Sequence, residues 1–258
     1  MKKKDVAGTE ALLRSHERWC MNACNRYINR SAGKDNVWLH KNEAGNILAI
    51  IVNAKQSLLP VLGDLLGDQK IIPPPHFLRG FFGAAPIHSL QGRKEDVLIM
   101  EAAMENTGLC AEEKIDYDLM CIDHPPSGFN SVCAGLVIRK PHGADMNALA
   151  ALHAAYEQEE VLPAAADFNA AVSRLNMERI FSKEQMLVAE LDGRLAGKIN
   201  TNAVTFTRFQ IGGVYVHPEF RRLGIARRMA GEFTASLASQ GRGISLFVKK
   251  SNPSARRV

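Results

Sequence analysis

The sequence predicts a mixed α/β protein, with helices packed on a mixed sheet. Three observations predict it. Apolar residues recur at helical spacing in several windows, as at Met146, Leu149, Leu152, His153 and Tyr156. Short apolar or alternating runs lie between those windows, bounded by Gly, Pro, Asn and Asp. Two such pairs of runs are joined by hairpin turns, at Asn42–Gly45 and at Asp192-Gly193.

Taken in order, Thr9–Arg30 reads as one helix, with Leu12, Leu13, Trp19, Cys20, Ala23 and Tyr27 along one stripe. Val37–Ala54 reads as a hairpin. Pro73-Pro74-Pro75 cannot lie inside a helix and marks a loop. Glu95–Asn106 reads as a helix stopped by Gly108, and Tyr117–Ile122 as a strand. His124-Pro125-Pro126-Ser127-Gly128 has linker composition, so an N-terminal α/β domain is expected over 1–127 and a second domain over 128–258. In the second, Val132–Arg139 is a strand, and Asp145 is placed to cap the helix that follows. A further helix is expected over Ala166–Phe181, with Phe168, Val172, Leu175 and Ile180 inward. Met186–Leu191 and Leu195–Ala203 form the second hairpin. Gln210–Val216 is a strand ended by Pro218, Gly224–Ser239 a helix, and Gly243–Lys249 the last strand. Gly193–Ala203 echoes Gly45–Ala54, since both follow a turn and end in Asn-Ala. Either the fold is duplicated with a degenerate first copy, or two ordinary hairpins look alike.

Composition narrows the class. A chain of 258 residues, 46% hydrophobic and 23% charged, can bury a core without metal or disulfide staples. No apolar run reaches the roughly 18–20 residues that span a bilayer. The opening lysines are followed by Asp5, Gly8, Thr9 and Glu10, not by the apolar segment of a signal peptide, so a cytoplasmic protein is expected. The five cysteines are an odd number, which argues against a secreted disulfide framework. Cys20 and Cys24 share a helix face but no second Cys/His pair follows, so they read as buried thiols and no metal is expected. The net charge of +5 is uneven: after Glu219 come Arg221, Arg222, Arg227, Arg228, Arg242, Lys249, Lys250, Arg256 and Arg257, against Glu232 alone. That cluster points to a polyanionic partner, either nucleic acid or a phosphate-rich cofactor.

The segment Val214-Tyr-Val-His-Pro-Glu-Phe-Arg-Arg-Leu-Gly-Ile-Ala226 carries the functional reading. A strand leads through a turn into a helix that opens near Gly224. The first amides of such a helix lack internal partners, and the helix dipole adds positive charge there. An anion fits at that place. Gly224 has no Cβ to keep phosphate oxygens from the main chain, Ala226 is small, and Arg221 and Arg222 can add charge-assisted hydrogen bonds. A P-loop is excluded because no Lys-Ser/Thr follows the glycine, and the Gly-x-Gly-x-x-Gly of a dinucleotide fold is absent here.

The order Val-x-Val-x-Pro-x-x-Arg-x-x-Gly-x-Ala resembles the GNAT acetyltransferase superfamily, whose loop is Arg/Gln-x-x-Gly-x-Gly/Ala. Arg221, Gly224 and Ala226 match it. Similar elements run from about Val132 to the end, including Ser251-Asn252-Pro253-Ser254-Ala255 after the last strand. The resemblance implies a GNAT-like fold in the C-terminal half and acetyl-CoA as cosubstrate. Its pyrophosphate would lie on Leu223, Gly224, Ile225 and Ala226 beside Arg221 or Arg222, and its pantetheine arm along Val214, Tyr215 and Val216. Asn252 belongs to the Asn-x-x-Ala element that opens the family's next helix.

Acetyl transfer to an amine needs a base, a polarised thioester carbonyl and a proton for the leaving thiolate. Where some family members have a glutamate, this chain has Gln210, which can position a water but not accept a proton. Glu190 is the leading substitute, and Tyr215 and His217 are nearby in sequence. The family's thiolate-protonating tyrosine would fall just past Val258. The chain is therefore expected to be truncated; the alternatives are that another subunit supplies the part, as in a homodimer, or that catalysis is weak. The functional expectation is an N-acetyltransferase acting on a primary amine of a small molecule or protein. A non-catalytic CoA-binding module is the alternative. Nucleic-acid binding is disfavoured, because Phe233 and Phe247 fit core positions better than stacking platforms. Trp38, His40, His76 and His88 are assigned no role.

Overall fold

The computed structural model describes residues 3–29, 36–54, 56–63, 87–105, 108–123, 134–162 and 167–257. The triproline loop, His76, Cys133 and the linker at 124–128 lie outside the described residues. The chain divides into two compact units, Met1–Ile115 and Asp116–Val258.

In the first unit, the expected single helix is two: α1 (Lys3–Ser15) and α2 (Met21–Ile28). At Cys20 the backbone leaves helical geometry, with φ −117° and ψ 36°. The break lets both thiols reach back to the Leu13 carbonyl, at 3.8 Å from Cys20 and 3.6 Å from Cys24. Both cysteines are buried and reduced, while Trp19, on the expected apolar stripe, is half exposed. Strands β1 (Asn36–Lys41) and β2 (Ile47–Ala54) form the expected hairpin. They are joined by β3 (Ser57–Val61) and the short β4 (Ser89–Leu90) in a sheet of order β1-β2-β3-β4. Helix α3 (Lys94–Glu105) covers this sheet, its Met100 and Ala103 buried against Ala49, Ile51, Leu58 and Leu62.

The second unit holds a six-stranded sheet of order β5-β10-β9-β8-β7-β6. Its strands are β5 (Tyr117–Ile122), β6 (Leu136–Arg139), β7 (Met186–Leu191), β8 (Arg194–Val204), β9 (Arg208–Val216) and β10 (Gly243–Lys249). Neighbours are antiparallel except β9 and β10. The division between units falls ahead of the linker expected near Ser127, because β5 pairs along its whole length with β10. Arg208 stitches that edge together. Its buried guanidinium donates to Ser245 Oγ (2.9 Å), the Ile244 carbonyl (2.7 Å) and Asp123 (2.6 Å).

Helix α6 (Ile225–Ala238) packs Ile225, Met229, Phe233 and Leu237 on one face of this sheet, against Ala189, Ile199, Phe209, Ile211 and Val216. Helices α4 (Met146–Tyr156) and α5 (Ala170–Lys183) cover the other face, where Leu149 and Met177 meet Met186 and Val188. Ala189 and Val188 are adjacent and therefore point to opposite faces, which is why each layer finds its own core.

Two expectations need correction. Asp145 stands at the N-cap position of α4 but makes no side-chain bond to that helix's amides. It closes the 3-10 turn Gly143–Asp145, where its carboxylate accepts the His142 amide (2.8 Å) and the Arg139 fork (2.7 and 2.9 Å). Arg139 thereby holds the Asp145 carboxyl down at about 2. Helix α5 starts later than expected, at an Asn169 cap that accepts the Val172 amide (3.0 Å). It turns Ser173 and Met177 inward and leaves Val172 and Leu175 exposed.

Candidate active site

The site is built where β9 hands over to α6. On the β8 side of β9 the ladder pairs Lys198 with Tyr215 and Asn200 with Gly212. Ile199 alone thus faces Gly213 and Val214, so β9 carries an extra residue there, a β-bulge. Gly213 takes φ +58°, and a Cβ on it would overlap the Asn200 side chain. A compensating bulge at Asn202 of β8 restores the register. A Cβ on Gly212 would displace the Asn202 side chain.

On its other side β9 pairs with β10 only from Arg208–Gly243 to Ile211–Leu246. Beyond that the strands part, and β10 continues with β5 alone. The segment Gly212–Val216 therefore has no strand on its β10 side among the described residues. Alternation through the bulge sends Tyr215 to the α4 face, where its hydroxyl donates to Glu159 (3.0 Å) and its ring meets Tyr156 edge-on. Val216 belongs to the α6 core, and Val214 packs against it.

The turn after β9 begins with a short 3-10 helix, Pro218–Phe220. Arg222 and Gly224 then both take left-handed backbone, at φ +66° and +76°. Arg221, Arg222, Leu223 and Gly224 are exposed. The first amide of α6 with a backbone partner is Arg228, on the Gly224 carbonyl at 3.0 Å. Among the described residues no main-chain acceptor takes the amides of Leu223, Gly224, Ile225 or Ala226. Open amides, helix dipole and a left-handed glycine together make a cradle for an anion.

The two arginines behave differently. Arg221 turns back, donating to the Val216 carbonyl (3.0 Å) and to Glu159 (2.7 Å). The Glu159 carboxylate raises the Arg221 pKa, and the guanidinium lowers that of Glu159. Glu159 belongs to a π-helical turn, Glu157–Val161, that continues α4. The same turn grips the far strand: the Glu160 carbonyl accepts Lys249 Nζ (2.6 Å), and its carboxylate accepts the Asn252 amide (3.1 Å). Asn252 Oδ1 in turn accepts the Ala255 amide (2.9 Å) and starts the closing turn, so its side chain is occupied within the protein.

Of the candidate catalytic residues, Gln210 and Tyr215 lie on β9 itself. Gln210 is buried in mid-strand, and its amide oxygen has no protein partner among the described residues. Glu190 is not brought to this place. It lies on β7, separated from β9 by β8, and its carboxylate is held by Arg139 (2.8 Å).

Beneath the bulge lies a group that the sequence reading missed. Lys198 is fully buried on the α4 face of β8. Its Nζ donates to the Gly213 carbonyl (3.1 Å), lies 3.5 Å from Asn200 Oδ1, and sits 4.5 Å from the centre of the Tyr156 ring. Burial pulls its pKa down to about 7. The buried His153, 3.2 Å from Glu157, is pulled down to about 4, first by burial and then by Lys198. No sequence signal marks it: Lys198 stands with Asn200, Thr201 and Asn202 in a strand polar enough to read as solvated on one face.

Residues 149–258 match the family model described as Acetyltransferase (GNAT) family. The C-terminal part of the chain, 110 of its 258 residues, thus matches a GNAT acetyltransferase domain. Similar solved structures include one described as a GNAT-family acetyltransferase from Novosphingobium aromaticivorans, at 24% identity, TM-score 0.38 and coverage of 54% of each chain. A GNAT family acetyltransferase from Brucella melitensis, in complex with acetyl-CoA, is 23% identical with TM-score 0.34, covering 42% of this chain and 71% of that one. An N-acetyltransferase from Thermoplasma acidophilum, in complex with coenzyme A, is 16% identical with TM-score 0.38, covering 47% of this chain and 84% of its own. The chain thus spans about half the length of the first of these. A search of curated proteins gives no significant match.

Proposed function

We propose that the chain is an acetyl-CoA-dependent N-acetyltransferase acting on a primary amine. The observation that carries this is the exposed corner of open amides at Leu223–Ala226, set beside a strand whose β10 side is free. A pyrophosphate fits that corner by charge and hydrogen bonding, with Arg222 beside it. The pantetheine arm then follows Val214–Val216 as an added strand. Next to the slot, where β9 is still paired with β10, the buried Gln210 amide oxygen orients a water as a proton relay. No helix among the described residues is long and apolar enough to cross a membrane, and the reduced thiols of Cys20 and Cys24 suit the cytoplasm.

The test is binding before turnover. Calorimetry should show heat on adding CoA, and excess CoA should raise the melting temperature by mass action. No heat and no shift at millimolar CoA would end the reading. Glu190 bound to Arg139, and an amide at 210 in place of an acid, favour a second reading, a CoA-binding module without turnover. CoA binding without thiol release from acetyl-CoA across an amine panel would select it.

A further inference from the structure

Lys198 is a fully buried ionisable group that the proposed function leaves unused. Its surroundings are specific. The ammonium reaches from β8 across the bulge to the Gly213 carbonyl, and a hydrogen bond from the Gly213 backbone reaches the Tyr156 hydroxyl, partly offsetting the burial that raises that hydroxyl's pKa. Asn200 fills the space that a Gly213 side chain would need. The bulge is therefore gripped from the α4 face by three side chains.

A trans peptide unit is planar, and its C=O and N–H point in opposite directions. Lys198 holds the Gly213 carbonyl from the α4 face. The N–H of the same unit, on Val214, therefore points away from Lys198, in a segment that has no strand on its β10 side among the described residues. We propose that Lys198 is a positioning residue: by holding the Gly213 carbonyl it orients the Val214 amide toward the thioester end of acetyl-CoA. This rests on the reading of β9 as the cofactor's track. The device has a reason to be a buried lysine. An apolar side chain of this length, such as Met, has no donor, and an arginine fork would not fit a space already filled by Tyr156 and Asn200.

Gly213-Val214 is the only Gly-Val pair in the sequence. The full chain labelled with carbonyl-13C glycine and 15N valine therefore gives one coupled signal, reporting the gripped carbonyl and the aimed amide together. In the wild type the carbonyl should move as pH passes through about 7, where Lys198 releases its proton. In Lys198→Met that response should vanish. The other polar and charged groups around the ammonium are His153, Tyr156 and Glu157 from α4 and its turn, and Asn200 and Tyr215 from the sheet, with Arg179 of α5 acting on His153. The variant keeps them all, so its profile subtracts theirs.

Acetyl-CoA, compared with CoA, should shift the wild-type amide further. The variant should lose that difference and bind acetyl-CoA about fivefold more weakly, the value of one hydrogen bond, while CoA affinity stays unchanged. A wild-type carbonyl that stays flat through the titration overturns the proposal without any variant, so a Lys198→Met chain that fails to fold does not shelter it. Equal amide shifts with the two ligands also overturn it. If the titration appears but neither CoA nor acetyl-CoA binds, the transferase reading falls, while the grip on the bulge stands.

Discussion

Lys198 makes a prediction about stability that needs no ligand. In the native chain its pKa falls from an ordinary 10.5 to about 7, because burial strips water from the ammonium. In the unfolded chain the side chain keeps its proton to its ordinary value. Between those limits the unfolded state binds more protons than the native state, so stability rises with pH. Each pH unit is worth about 1.4 kcal/mol for one proton. Half-titration at the start trims the first unit, leaving a gain of about 2 kcal/mol between about pH 7 and about pH 9. Lys198→Met removes the proton and keeps the bulk, so its curve should lack that gain. The assay must see the second unit alone, and both tryptophans, Trp19 and Trp38, lie in the first. Urea-dependent hydrogen exchange of the β8 peptide reads the second unit, with tryptophan fluorescence as the control for the first. Parallel wild-type and variant curves over that pH range would refute a buried ammonium at this place.

Three further outcomes follow from other contacts. Gly224→Val should weaken CoA binding by at least about tenfold in calorimetry, since a β-branched residue at φ +76° costs about 1–2 kcal/mol and puts a side chain over the open amides. Asp145→Asn should cost about 2 kcal/mol in neutral urea unfolding, matching a carboxyl lowered from 3.8 to about 2. That contribution is present above the ordinary value and is lost as pH falls toward about 2, so the gap between variant and wild type should narrow in acid. Arg208→Met should cost about 3 kcal/mol, because it removes the three hydrogen bonds of a buried guanidinium, and should speed hydrogen exchange in β5 and β10 first.

What the sequence made legible was local. The hairpin at Asp192-Gly193, the helix stop at Gly108 and the loop at Arg221–Ala226 are each written in a few neighbouring residues whose backbone needs are specific, and the structure has them. The split of the first helix at Cys20 was hidden, because no Pro or Gly marks it and the contacts that go with it, from both thiols to the Leu13 carbonyl, join residues that helical spacing does not pair. The face of α5 was misread for a related reason: Val172 and Leu175 look apolar enough to bury, but the neighbour that would cover them is set by how α4 and the sheet present Leu149, Met186 and Val188. Glu190 looked available from its place next to a turn. Its capture by Arg139 is a pairing across strands β6 and β7 that spacing alone does not show. Lys198 shows the same limit from the opposite side, since burial and partnership of a lone charge are properties of the assembled sheet.

The pairing of β5 with β10 bears on how the second unit can be handled in isolation. A fragment begun at the proline-rich stretch after residue 123, or at the start of the matched family segment at residue 149, would be deprived of Tyr117–Ile122. The backbone groups of Gly243–Lys249 that this strand occupies would then face solvent as an unprotected border, able to recruit the same border of another molecule. Recombinant pieces should therefore begin no later than Asp116, and shorter ones are expected to self-associate for reasons unrelated to their native assembly.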